Sequence, residues 1–368
     1  MMSFVKSFQP GEKSMKQFLH YEDSMKRLSI SFLTIVMAIV TGNLCILRAY
    51  SDGEPKSVPI LYSTDLFHPH DDPDDHFDLM TLFSIPEFDI RAIVNDIGPQ
   101  AKGRTGALPV SQMTYLTGRK VPYTCGLTEN LKSPEDKTEN QPAEAQKGVE
   151  LIVKVLREAT GPVTLFTTGS LRDMAAAYNR EPELFKSKVA RFYVNAGHSG
   201  GEEEWNVKLD RNAFVRILQS DLPVYWLPCF GTNGYSSYWK FRQGAVLESA
   251  PIPIQNFVIY ALTKSSPLKV NPLIFLTSTP SDEVKKKLWA EERNMWCTAA
   301  FLHAAGRSNP TYTFETIKVH IDERGVTRIT NNEKDHSIRT FHCNDPKAYA
   351  VSMREELKRL VSSFKLVK

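Results

Sequence analysis

The run Asp65-Leu-Phe-His68-Pro-His70-Asp71-Asp72-Pro-Asp74-Asp75-His76-Phe-Asp78 follows the apolar stretch Val58–Tyr62 and leads into a second apolar stretch, Leu79–Ile85. Carboxylates this dense repel one another unless a cation or protons neutralise them. Flanked by two apolar elements rather than by a polar tract, the run reads as a hard-cation site at the end of a strand. A solvated acidic loop is the plainer alternative. Val58–Tyr62 then predicts a first strand and Asp75–Ser84 a helix, whose apolar face is Phe77, Leu79, Met80, Leu82 and Phe83 and which Pro86 stops.

Outward from this segment, short apolar runs alternate with amphipathic ones, the pattern of βαβ units. Strands are expected at Ile90–Val94, Val163–Phe166, Val189–Val194 and Val224–Leu227. Helices are expected at Val110–Leu116, Gln141–Ala159, Leu171–Tyr178, Asn212–Gln219, from Ser281 past Leu288, at Met295–Ala305 and at Pro346–Leu360. Tyr312–Val319 and Val326–Ile329 read as a terminal hairpin around Asp322-Glu-Arg-Gly325. With no internal repeat or low-complexity linker, residues 52–368 are read as a single α/β domain with a central, mainly parallel sheet flanked by helices. The polar residues Asp65, Asp74, Asp75, Asn95, Thr168, Asn195, Glu204 and Asn206 all follow strands. In such a sheet the crevice beyond the carboxyl ends of the strands is the usual ligand site.

The chain of 368 residues carries a formal charge of +3 without a basic block, which argues against a nucleic-acid partner. Met25-Lys-Arg27 precedes the mostly apolar run Leu28–Leu47 and then Ala49-Tyr-Ser51. That order predicts an export signal in residues 1–51, cleaved near Ser51, with translation starting at Met1 or Met25. The alternative is an anchor formed by residues 28–47. Export would leave Cys125, Cys229, Cys297 and Cys343, none of them in a CxxC pair, so a thiolate zinc site is not expected. Their redox pairing is not legible.

Three segments resemble the inosine–uridine-preferring nucleoside hydrolase family. They are Asp65 with Asp72-Pro-Asp74-Asp75 and the following Phe77–Phe83; Val163-Thr-Leu-Phe-Thr-Thr168-Gly-Ser-Leu-Arg-Asp-Met-Ala-Ala-Ala177; and Glu204-Trp205-Asn206 with Asp210 beyond it. The resemblance implies a nucleoside hydrolase-like fold and hydrolysis of the N-glycosidic bond of a ribonucleoside or related riboside. It implies a calcium ion held by Asp65, Asp75 and the carbonyl of Thr168, Asp74 as general base on a metal-bound water, and Glu204 and Asn206 on ribose hydroxyls. Asn95 and His198 are further substrate-binding candidates, and a homo-oligomer is compatible with the resemblance. All-oxygen donors suit calcium, so His68, His70 and His76 are not expected to be transition-metal ligands.

The family's late His-Asp pair, at the start of an apolar helix, aligns with Asn294-Met295, neither a calcium ligand of choice nor a proton donor. Glu292, one helical turn earlier, is the candidate replacement ligand. Asp71, Asp72 and Asp78 are further acids for the same role. A catalytically silent riboside-binding protein on this scaffold is the competing reading.

Overall fold

The computed structural model describes residues 57–307 and 309–367. The signal or anchor expected in residues 1–51 lies outside the described residues. No described helix is long and apolar enough to cross a membrane.

The chain begins with β1 (Val58–Thr64), α1 (Asp74–Ser84), β2 (Phe88–Asn95), α2 (Ala107–Thr117), β3 (Tyr123–Cys125), α3 (Ala143–Glu158) and β4 (Val163–Thr167). It continues with α4 (Arg172–Arg180), α5 (Pro182–Lys188), β5 (Val189–Asn195), α6 (Trp205–Leu209), α7 (Arg211–Leu218), β6 (Val224–Leu227) and β7 (Trp239–Arg242). There follow α8 (Gly244–Leu247), α9 (Ile252–Leu262), α10 (Pro272–Leu276), α11 (Asp282–Trp289), β8 (Glu292–Met295) and α12 (Thr298–Ala304). Last come β9 (Thr313–Ile321), β10 (Thr327–Thr330), β11 (His336–His342) and α13 (Pro346–Ser362).

Nine strands form one sheet in the order β10-β9-β11-β6-β5-β4-β1-β2-β3. From β3 to β11 every neighbouring pair is parallel, and only β9 runs antiparallel to its neighbours. Alternation along the strands divides the core between the two faces, because successive side chains leave a strand on opposite sides. Ile60, Tyr62, Phe166 and Tyr193 pack with α1, α9, α12 and α13, whereas Leu61, Leu165, Phe192 and Val194 pack with α3, α4 and α7. Each such side chain contributes about 1.5–3 kcal/mol by leaving water. The described residues thus form the expected single α/β domain, and strand order places β1 beside both β2 and β4, so the chain ends at Asp65, Asp96 and Thr168 share one rim.

The expected strands and most helices are present with small shifts of boundary. Three differences matter. The β9–β10 hairpin is not terminal, because β11 follows it and joins the main sheet beside β6. Helix α9, an apolar stretch without amphipathic period, is absent from the sequence reading. The apolar helix expected from Met295 begins only at Thr298, since Met295 ends β8, which pairs with β7.

Candidate active site

Asp65 leaves the end of β1, and Asp74 and Asp75 open α1, whose N-terminal dipole favours acids in the first turn. The hydroxyl of Thr64 donates to Asp75 Oδ1 at 2.6 Å and that of Thr168 to the same atom at 3.1 Å. Tyr62 Oη lies 2.9 Å from Thr168 Oγ1, below this pair. Gly169 lets the turn after β4 touch the chain at Asp65: a Cβ there would sit 2.8 Å from the Asp65 amide nitrogen.

Glu204 caps α6, its Oε2 accepting from the amides of Gly197, Asn206 and Val207 at 2.8, 3.0 and 3.4 Å. That anchorage fixes the carboxylate, and the Cys229 thiol is a further hydrogen-bonding partner. Asn206 Nδ2 donates to the carbonyls of Asn195 at 3.0 Å and Thr168 at 3.4 Å. These residues line one cavity of about 530 Å³, whose wall includes Asp65, Asp74, Asp75, Thr168, Glu204 and Asn206. The structure therefore brings together six of the residues singled out from the sequence.

The electrostatics are dominated by burial and by mutual repulsion among the inner carboxyls. Burial first, then repulsion from Asp75, holds the Asp65 and Asp74 carboxyls well above the usual range. Burial also raises Asp75, to about 6, against the lowering by its hydrogen bonds from Thr64 and Thr168. A bound cation reverses such shifts. Among the described residues no three His, Cys, Asp or Glu side chains stand together ready to hold a metal. Carboxylates alone thus do not close a site, and carbonyl, amide and water oxygens have to complete it. Asn195 Oδ1 is buried without a partner, and the Thr168 carbonyl receives only the long contact from Asn206. An all-oxygen set of this composition fits a hard cation. Asn195, seen in the sequence only as a polar strand-end residue, joins the site because it lines the cavity with that unpaired oxygen.

Other expectations fall elsewhere. Asn95 is buried and fully engaged, its Nδ2 donating to the carbonyls of Thr64 and Leu66 and its Oδ1 accepting from Gly106 N and Tyr123 Oη. It braces the loop after β1 and does not line the cavity. His198 is also outside the lining, its Nδ1 accepting from Gly200 N at 2.9 Å. Glu292 lies exposed on β8, paired with Lys240 at 2.7 Å, and is not brought into the site.

Asn294 and Met295 also lie on β8, outside the lining; Met295 is fully buried and Asn294 accepts from Tyr238 Oη at 2.9 Å. The two residues at the start of the apolar helix that do line the cavity are Trp296 and Cys297. The expected pair misses the site because the helix starts at Thr298 and not at Met295. Asp78, buried one turn into α1, is the hydrogen-bonding partner of Cys297. Asp71 and Asp72 line the cavity but are engaged by arginines: Arg104 holds Asp71 through two bonds of 2.9 and 2.8 Å, and Arg293 holds Asp72 at 2.6 Å. His68 and His70 each meet His76 edge to face, and His68 and His76 pack at a tilt on Tyr260 and Phe257, outside the cavity.

One residue behind the wall has no counterpart in the sequence reading. Arg172 is fully buried and pairs with Asp96 at 3.0 Å and Asp210 at 3.3 Å. It also donates to the carbonyls of Leu127 and Leu209 and to Asn130 Oδ1. It therefore ties the loops after β2 and β3 to the segment that carries Glu204 and Asn206. The four described cysteines are unpaired.

The family model for inosine-uridine preferring nucleoside hydrolases matches residues 61–362. Among curated proteins, the chain is similar to the pyrimidine-specific ribonucleoside hydrolase RihA of Escherichia coli O139:H28, 29% identical over 189 residues. That match covers 46% of this chain and 59% of the relative, so the chain spans about three fifths of that relative's length. Among solved structures, the plant nucleoside hydrolase PpNRh1 superposes with a TM-score of 0.56 at 17% identity, covering 83% of this chain and 99% of that one. The purine-preferring ribonucleoside hydrolase from Gardnerella vaginalis does so with a TM-score of 0.50 at 15% identity, covering 83% and 99%. The structural likenesses show a shared fold. With its family match extending from β1 into α13, this chain belongs to the inosine-uridine preferring nucleoside hydrolase family.

Proposed function

We propose that this protein hydrolyses the N-glycosidic bond of a ribonucleoside or related riboside, with calcium as its metal. The observation that carries the reading is the convergence of Asp65, Asp74, Asp75, the Thr168 turn and Glu204-Trp205-Asn206 on one cavity. Asp65, Asp75 and the Thr168 carbonyl would hold the ion, with Asn195 Oδ1 the unpaired oxygen beside them. When bound, the ion supplies positive charge that makes water a better nucleophile and orients the ribose hydroxyls.

The chain's own residues do the rest. Asp74 is the general base that takes the proton of the attacking water, a role for a carboxylate worth about 10²–10⁴-fold in rate. Glu204, locked by three backbone amides, offers its second oxygen to a ribose hydroxyl, and the Asn206 amide is placed beside it. As the C1′–N bond lengthens, the sugar gains positive charge, which these carboxylates stabilise. A reducing-sugar assay over a nucleoside panel, with calcium and with chelator, tests the reading; ribose binding without release would move it to a silent binding protein.

We further propose that the protein is exported, with cleavage near Ser51. The basic pair, apolar run and small residues between Met25 and Ser51 support this. Mass spectrometry of the mature chain tests it, and a chain retaining residues 28–47 indicates the anchor instead.

A further inference from the structure

Beyond the metal and ribose groups, the cavity wall is aromatic. Phe67, Trp205, Phe230 and Trp296 all line it. Trp205 and Phe230 are 60% and 41% exposed, which leaves their rings open to a stacking partner. Phe230 and Trp296 meet edge to face with centroids 5.8 Å apart, and Tyr238 packs against both. Among the described residues the lining carries the carboxylates Asp65, Asp71, Asp72, Asp74, Asp75 and Glu204 against a single cation, Lys102.

Apart from Asp65, Asp74 and Asp75, which the proposed metal and attacking water occupy, the same wall is poor in acids able to protonate a leaving group. Among the described residues it contains no histidine and no tyrosine. Asp71 is kept ionised by Arg104, and Asp72 is engaged by Arg293. Trp296 Nε1 is buried without a partner, and an indole N–H donates a hydrogen bond but does not release a proton. The lining thiols, Cys229 and Cys297, are buried beside Glu204 and Asp78, surroundings that make a thiol a weaker acid. Lys102 is exposed, and an ammonium is a much weaker acid than a carboxyl or an imidazolium.

An aromatic wall whose inner carboxyls are taken up by the proposed metal and water chemistry, and which among the described residues offers no histidine or tyrosine, suits an aglycone that arrives with a positive charge. We propose that the preferred substrates are cationic N-ribosides, such as N-ribosylpyridiniums and N7-alkylated purine ribosides, whose base leaves as a neutral molecule. This inference rests on the riboside-hydrolase reading above. In the reaction the C1′–N bond breaks and its electron pair stays on nitrogen, cancelling the ring's positive charge. Water oxygen bonds to C1′, and the water proton passes to Asp74 and then to solvent. A cationic riboside and water thus give ribose, a neutral base and a proton, with no protonation of the base. A neutral riboside would instead expel an anionic base or need a proton that the wall does not provide. Rings around a cation also add attraction beyond apolar burial.

The test compares 7-methylguanosine with guanosine, and N-ribosylnicotinamide with uridine and inosine, on the calcium-loaded full chain. Each rate is divided by the uncatalysed rate of the same compound. The corrected kcat/KM is expected to be at least about 10-fold higher for the cationic member, a gain within the range of a desolvated cation–π contact. Trp205→Ala, at an exposed position, is expected to raise KM for the cationic substrates about fivefold or more, and for neutral ones less than twofold. Neutral ribosides cleaved with equal corrected efficiency would overturn the cationic preference while leaving the riboside reading intact. An equal effect of Trp205→Ala on both classes would also overturn it. Release of ribose from none of the compounds, cationic ones included, would overturn the underlying reading instead.

Discussion

The hydroxyl of Thr64 donates to Asp75 Oδ1 at 2.6 Å, joining the last residue of β1 to the first turn of α1. Thr168 donates to the same oxygen from the end of β4. Two neighbouring strands therefore aim one carboxylate, which stands beside Asp65 as a proposed cation ligand. Hydrogen bonds to charged groups are worth about 1.5–3 kcal/mol.

Thr64→Val keeps the shape of the side chain but removes the donor. Calcium affinity measured by calorimetry is expected to fall about 10–100-fold, the usual cost of losing a group that orients a ligand. Unchanged affinity would show that Asp75 does not need this orientation.

Glu292→Gln offers the contrasting case. Glu292 is exposed and paired with Lys240 on β8, so calcium affinity should stay at the wild-type value. Stability should move by no more than about 0.5 kcal/mol, as for other surface positions. A clear loss of calcium binding would restore this residue as a ligand.

Arg172→Met removes the cation between Asp96 and Asp210 and leaves two buried carboxylates unpaired. Denaturant unfolding is expected to show a loss of about 3–5 kcal/mol, the scale for breaking a buried pair from one side. A change below 1 kcal/mol would mean that water reaches these acids.

Asp173 gives a pH dependence separate from the metal site. Burial, followed by repulsion from Asp96, raises its pKa to about 7, and its Oδ2 has no hydrogen-bond partner. Gly126 and Gly148 close over the carboxyl, where a Cβ would come within 2.1 and 2.6 Å of its oxygens. Between about pH 4, the unfolded value, and about 7, the folded chain keeps a proton that the unfolded chain has lost. Its contribution is therefore fully present below pH 4 and is lost as pH rises through 7. In saturating calcium, Asp173→Asn should reduce the fall in stability by up to about 1.4 kcal/mol per pH unit between pH 5 and 6. An unaltered slope would contradict this.

The parallel sheet was legible because its central strands are short apolar runs bounded by turn residues, as in Val163–Thr167. Strand β8, Glu292–Met295, was not, since three of its four residues are polar and only Met295 is buried. Strand β11 was hidden similarly by His336, Ser337 and Arg339 on a chain segment whose inward residues are few. Helix α9 carries apolar residues around most of its circumference, so periodicity gave no signal.

In the site, acids following strands were readable because strand order alone brings their chain ends to one rim. What was not readable depended on three-dimensional partners. Nothing in the sequence marks Arg172 as buried, or Asn95 as a fully bonded brace, or Glu292 as a surface ion pair. The positions beside the late helix shifted from Asn294-Met295 to Trp296-Cys297 because Met295, Trp296 and Cys297 extend the apolar pattern of α12 upstream of its first residue, Thr298.

The central claim, that the converging acids hydrolyse a riboside, is tested most directly by ribose release from wild type and from Asp74→Asn. Both are assayed with calcium and with chelator over neutral and cationic ribosides. The account predicts calcium-dependent release by wild type, reduced at least about 100-fold by the substitution while the fold and calcium binding persist. Ribose release that is equal in the two proteins, or bound riboside left intact by wild type, would contradict it.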